Sequence, residues 1–208
     1  GMKAVKSNGG RRVFTPDTMT PGDIGETVRA FAAAAVRAKA AGYEAVQLHA
    51  AHMYLLSQFF YPQYNNRTDA YGGSGERRFR IIREIIEAVK VSLGSDYPVF
   101  IKINSDNIEN NAEYFDDLCR AAQICEDLGV EGMELSGYHS APSGIPNGPY
   151  FIDTAKRLLG RTPLSLMLVG GIRTKREIGD ILGCGIKTVS LCRPVLEDPG
   201  FVSRMFAE

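Results

Sequence analysis

The chain has 208 residues, the length of one domain on the ordinary size scale. Lysine and arginine total 24 and aspartate and glutamate total 24, so no basic excess is available to neutralise a phosphate backbone, which argues against whole-surface nucleic-acid binding. Apolar residues at 44% and charged residues at 23% exclude a disordered chain, and no apolar run reaches the ~18 residues that span a bilayer.

Gly1 ahead of Met2 reads as a tag remnant, and Gly1 to Arg12 is polar and basic, without the apolar stretch of a secretory signal. Lys3 to Thr18 has no apolar period and carries Gly9, Gly10 and Pro16, so it reads as loop. Residues 1–20 are therefore expected as a loop segment ahead of a domain over 21–208. Thr20-Pro21-Gly22-Asp23 opens a helix, with Thr20 as cap, Pro21 in the first turn and Asp23 placed for a reciprocal cap. Ile24, Val28, Phe31, Ala35 and Ala38 follow at helical spacing, and Gly42 ends the helix.

Ala45-Val46-Gln47-Leu48 is a short apolar run ending at His49, of strand length. The unit then repeats. Gly75 to Leu93 reads as helix and Pro98 to Ile103 as strand. Ala112 to Leu128 is helix, Gly132 to Leu135 strand, Phe151 to Leu159 helix and Leu164 to Val169 strand. Thr174 to Leu182 is helix, Lys187 to Leu191 strand and Asp198 to Phe206 a last helix. Short apolar strands alternating with helices predict a parallel sheet buried on both faces. Five such strands suit an open doubly wound sheet or part of a (β/α)8 barrel. No G-x-G-x-x-G follows a strand, which weakens a dinucleotide-binding fold. The four cysteines, Cys119, Cys125, Cys184 and Cys192, show no C-x-x-C spacing. No zinc, iron–sulfur or disulfide site is expected, and a reduced cytoplasmic compartment is. Cys119 and Cys125 do not face one another on a helix and read as core.

Polar and glycine residues gather after the strand ends: His49 and His52, Asn104 to Asn107, Ser136 to Ser140, Gly170-Gly171 and Cys192-Arg193. The pair His49 and His52 admits structural hydrogen bonding or zinc ligation. Zinc would need a further ligand that no nearby cysteine or H-E-x-x-H provides. His139 reads as a site rim or an exposed residue. Lys102 lies inside an apolar strand, where a charge is costly unless paired, so a partner carboxylate is expected for it. Gly170-Gly171 after a strand and before a helix exposes backbone N–H groups that suit an anion.

His49-x-x-His52-Met53-Tyr54-Leu55-x-x-Gln58-Phe59 is followed by Asn65-Asn66-Arg67-Thr68-Asp69-x-Tyr71-Gly72-Gly73-Ser74 and Arg77. In this order the segments resemble the old yellow enzyme family of FMN-dependent oxidoreductases. Val169-Gly170-Gly171-Ile172 and Arg193-Pro194-x-x-x-Asp198-Pro199 match two further family segments, and the resemblance runs from Thr20 onward. It implies an incomplete TIM-type (β/α) barrel of about five βα units, corresponding to strands four to eight of the family barrel. The first three units would precede Met2, and no iron–sulfur cysteine segment is expected.

The resemblance also implies roles. His49 and His52 would be neutral imidazole donors to a substrate carbonyl, and Tyr54 the proton donor to the α-carbon. Lys102 stands where the family has an arginine contacting the flavin ring near its N1–C2 edge. Gly170, Gly171, Cys192 and Arg193 would hold the FMN phosphate, with cysteine where the family has glycine. Met53 also replaces a family glycine, so the turn before Tyr54 loses backbone freedom. Arg67-Thr68-Asp69 and the glycines after it read as architecture. The implied reaction passes hydride from NAD(P)H through FMN to an α,β-unsaturated carbonyl. The alternative is a flavin-free, catalytically silent half-barrel that binds or assembles. A flavin barrel acting on RNA is a third reading, which zero net charge disfavours. Five parallel strands leave two sheet edges, so self-association or homo-oligomerisation is expected, with a small enone-type substrate and neither nucleic acid nor membrane as partner.

Overall fold

The computed structural model describes residues 2–8, 11–16, 18–106, 112–137 and 148–207. The amino-terminal segment is not the expected loop. Strands β1 (Met2–Asn8) and β2 (Arg11–Pro16) pair antiparallel, with Asn8 opposite Arg11. A pair of glycines between two runs is a hairpin signal. The runs themselves carry no clean alternation, because Lys3, Lys6 and Arg12 interrupt them. The glycines at 9 and 10 lie outside the described residues, as do Asn107, His139 and Ser140.

Helix α1 (Pro21–Ala40) begins as its sequence requires: Thr20 Oγ1 accepts the Asp23 N–H at 3.2 Å, and Asp23 Oδ2 accepts the Thr20 N–H at 2.7 Å. Gly42 follows it at φ 88°. Strand β3 (Val46–Ala50) leads into a short helix, α2 (Leu55–Phe60), which the sequence reading lacks. The long helix expected from Gly75 breaks at Phe79 into α3 (Gly75–Arg78) and α4 (Arg80–Leu93). On α4, which packs on α1, Ile82, Ile85, Ile86 and Val89 are fully buried at helical spacing. The remaining order is β4 (Val99–Asn104), α5 (Ala112–Asp127), β5 (Gly132–Ser136), α6 (Ile152–Leu159), β6 (Ser165–Val169), α7 (Lys175–Gly183) and β7 (Thr188–Ser190). Two short helices close it, α8 (Arg193–Glu197) and α9 (Phe201–Met205), where one was expected from Asp198.

The sheet order is β3-β4-β5-β6-β7, every neighbour parallel. Doubly wound sheets reverse their strand order at a switch point. This sheet advances one strand at a time in a single direction, which is the progression of a barrel wall. One face is apolar and covered by helices: Leu48, Ile101, Ile103, Leu135 and Leu168 are at most 5% exposed.

The other face corrects the expectation of burial on both sides. Only the central β5 is buried at every position. Its flanking strands alternate, and His49, Lys102, Met167 and Thr188 lie half-buried or exposed. No described helix is long and apolar enough to cross a membrane.

Candidate active site at the carboxyl ends of the strands

Parallel register brings the inner-face residues into rungs. His49 pairs with Lys102, Lys102 with Glu134, Glu134 with Met167 and Met167 with Thr188. Side chains of paired residues share a face, so one rung holds an imidazole, an ammonium and a carboxylate side by side. Lys102 Nζ meets Glu134 Oε1 at 3.0 Å, and Gln47 Nε2 donates to Glu134 Oε2 at 2.9 Å. Both oxygens of this buried carboxylate are therefore engaged. The partner carboxylate expected for Lys102 is Glu134, and the lysine charge is balanced within the sheet.

Past the end of β3 the chain turns sharply. His52 and Met53 take left-handed backbone conformations, with φ of 57° and 61°. Such values cost a non-glycine residue roughly 1–2 kcal/mol. Two bonds hold His52: its N–H donates to Asn104 Oδ1 at 3.1 Å, and its Nε2 lies 2.7 Å from Ser136 Oγ. The turn sets the His52 ring edge-on to His49, with centroids 5.0 Å apart, and places the Tyr54 ring 5.1 Å from His49. Tyr54 is exposed and forms the amino-terminal cap residue of α2. Burial lowers the pKa of both histidines, and the Lys102 charge lowers them further, with His49 also acting on His52. Glu134 opposes the shift. The lowered pKa favours the neutral form, in which each ring has one donor N–H and one acceptor.

A cavity of about 350 Å³ adjoins this cluster. His52, Lys102, Ser136, Gly170, Gly171, Cys192 and Arg193 line it, together with apolar Phe151, Val169, Ile172 and Leu191. Every sequence-predicted cofactor residue thus reaches one cavity, while His49 and Tyr54 stand beside it. Asn104, Glu134 and Ser136 organise the cluster without having been assigned roles from sequence, because their partners are set by strand register.

The glycine pair has a packing reason of its own. Gly170 and Gly171 have φ of 103° and 75°. A Cβ on Gly171 would overlap the Gly148 carbonyl oxygen, and one on Gly170 would stand 2.8 Å from the Phe151 ring. The start of α7 differs from expectation. Thr174 and Glu177 form a capping box, and Glu177 Oε2 accepts the N–H groups of Arg173 and Thr174 at 2.8 and 2.9 Å. A carboxylate therefore already occupies that helix end, and Arg193 lies at the start of α8. Cys192 precedes that helix and makes no side-chain cap to it.

The architectural segment behaves as read. Arg67 and Asp69 pair through two contacts, Arg67 Nη1 reaches the Met19 carbonyl at 2.7 Å, and the Arg67 guanidinium holds the Asp69 carboxyl down at about 2. A buried ion pair, Arg78 with Asp117, was not anticipated. Gly75 makes room for it, since a Cβ there would overlap the Asp117 carboxylate. Cys125 is buried, which pushes its thiol up to about 12. No group of three or more metal-ligating side chains occurs among the described residues.

A family model for the NADH:flavin oxidoreductase / NADH oxidase family matches residues 1–207. The chain is 36% identical to an NADH:flavin oxidoreductase of Gibberella zeae, over 92% of this chain and 50% of that protein. It is 34% identical to an NADPH dehydrogenase of Halalkalibacterium halodurans, over 82% of this chain and 50% of the relative. The chain thus spans about half the length of these relatives. Among solved structures, 2-naphthoyl-CoA reductase superposes with a TM-score of 0.80 at 26% identity, covering 95% of this chain and 31% of that one. Morphinone reductase in complex with tetrahydroNAD gives 0.74 at 24% identity, covering 98% and 55%, a likeness of fold.

Proposed function

We propose, from the premise that the chain belongs to the NADH:flavin oxidoreductase / NADH oxidase family, that it forms the catalytic wall of an FMN-dependent NAD(P)H oxidoreductase of ene-reductase type. The observation that carries this reading is the adjacency of the His49–His52–Tyr54 cluster to the cavity lined by Lys102, Gly170, Gly171 and Arg193. The lining suits a flat aromatic ring with an anionic tail: apolar side chains, two cations and paired glycines that let backbone approach. Arg193, Gly170, Gly171 and Cys192 would hold the phosphate end, and Lys102 the ring edge. Bound there, FMN would supply hydride transfer from NAD(P)H to the β-carbon of an α,β-unsaturated carbonyl.

The chain's own residues do the rest. His49 and His52, neutral and near-perpendicular, each donate a hydrogen bond to the carbonyl oxygen and stabilise the charge that gathers on it. Tyr54 Oη gives its proton to the α-carbon. Glu134 keeps the Lys102 ammonium in place, and the Asn104 bond keeps the turn that presents His52 and Tyr54. The sheet edges at β3 and β7 are expected to associate with a second chain.

The deciding experiment supplies the purified chain with FMN and follows flavin absorbance anaerobically. NADH or NADPH should bleach it, and cyclohexenone should restore it. Tyr54→Phe should slow the restoration and spare the bleaching. A chain that takes up no flavin at any concentration would favour a flavin-free binding module instead.

A further inference from the structure

One rung of the sheet holds His52 twice. Asn104 and Ser136 are register partners on β4 and β5. Asn104 takes the His52 backbone N–H, and Ser136 meets the ring at Nε2, 2.7 Å away. Ser136 is 4% exposed and still lines the cavity. Its backbone is fixed as well, because its carbonyl accepts the Ser105 N–H at 2.7 Å. The hydroxyl therefore has little freedom to leave the imidazole.

We infer that Ser136 is a positioning residue that donates its hydroxyl proton to His52 Nε2, fixing His52 as the Nδ1–H tautomer with Nδ1–H as its ligand-facing donor. A neutral imidazole carries one N–H, and the nitrogen that accepts a hydrogen bond is the bare one. With Nε2 engaged by Ser136, Nδ1 is the nitrogen left to meet a ligand. Among the described residues no side chain takes it. If Nε2 carried the proton, it would be spent on Ser136, and Nδ1 would present a lone pair that repels a carbonyl oxygen. A serine hydroxyl can serve either partner, so the tautomer is a choice of the site rather than of the imidazole. The inference rests on the functional reading in one respect: that reading requires His52 to donate.

The chain contains three histidines, so nitrogen-15 labelling of histidine and a long-range proton–nitrogen correlation spectrum above neutral pH resolve each ring, assigned with single His→Gln variants. His52 should show a protonated Nδ1 and a bare Nε2. Ser136→Ala should move it toward the Nε2–H form, with His49 keeping its pattern. A wild-type His52 protonated at Nε2 overturns the inference, and that spectrum decides even if the variant folds poorly. Persistence of Nδ1–H in a folded Ser136→Ala chain overturns it equally. A wild-type Nε2–H form would also remove His52 as a donor to the carbonyl, while the flavin half-reactions test the rest of the functional reading separately.

Discussion

Asn104 holds the left-handed turn at His52: its Oδ1 accepts the His52 N–H at 3.1 Å, while its Nδ2 donates to the Tyr61 hydroxyl at 2.8 Å. The side chain is fully buried, so each lost bond leaves a polar group without water. Asn104→Ala should lower stability by about 1–3 kcal/mol, the cost of an unsatisfied buried group. It should also weaken ligands that contact His52. Urea unfolding measures the first, and an unchanged midpoint would mean the turn holds itself.

Met53 gives a sharper test of the same turn. Its φ of 61° suits glycine, and its side chain packs against the core. Met53→Gly and Met53→Ala both remove that packing, but only glycine relieves the backbone. The glycine variant should therefore be more stable than the alanine variant by about 1 kcal/mol, from the cost of left-handed φ at a residue with Cβ. Equal thermal midpoints would show that the turn carries no such strain.

The Lys102–Glu134 pair predicts asymmetric damage. Glu134 has 6% of its side chain exposed and Lys102 has 21%. Lys102→Met strands a buried carboxylate and should cost about 3–5 kcal/mol, the scale for breaking a buried pair. Glu134→Gln leaves the more accessible partner and should cost less. Combining Lys102→Met with Glu134→Leu should recover much of the first loss. Additive losses in the double-mutant cycle would refute the coupling.

Stability should depend on pH through the two histidines. Their folded pKa values lie below the ordinary 6.5, chiefly by burial, then by the Lys102 charge at His49 and by His49 and Lys102 at His52. The unfolded chain therefore binds protons first as pH falls. Stability is full above 6.5, declines as pH drops through 6.5, and levels off below the folded values. Denaturant midpoints across this range, compared with a His49→Gln/His52→Gln chain, should show the decline only in the wild type.

FMN should bind this chain weakly. The sheet's inner face is partly exposed, so the available contacts are mainly the polar ones around Arg193 and Lys102. Charge-assisted hydrogen bonds contribute ~1.5–3 kcal/mol each, and association consumes much of that gain. A dissociation constant of roughly 1 μM or weaker is expected by this reasoning. Light scattering on the same sample should show association through β3 and β7. A monodisperse monomer that retains stoichiometric FMN through gel filtration would contradict both expectations.

The repeat of helix and strand was legible in the chain because local chemistry writes it. Thr20 and Thr174 cap helices with the acidic residues three positions on, Gly42 stops one, and Ile82 to Val89 mark a buried stripe. The motif from His49 to Tyr54 likewise announced its turn, since its residues are near neighbours. The hairpin at the start was not legible, because its strands alternate poorly. Burial on both faces was overestimated, because a short apolar strand does not reveal which side its exceptions face. What only tertiary structure decided is who meets whom across strands. Glu134 answers Lys102, Ser136 answers His52, and Glu177 occupies the helix end that suited an anion. Those pairings depend on parallel register, and a shift of one residue would turn every inner side chain to the helix-covered face. Sequence specifies register through the fit of the whole sheet rather than through any one of its segments.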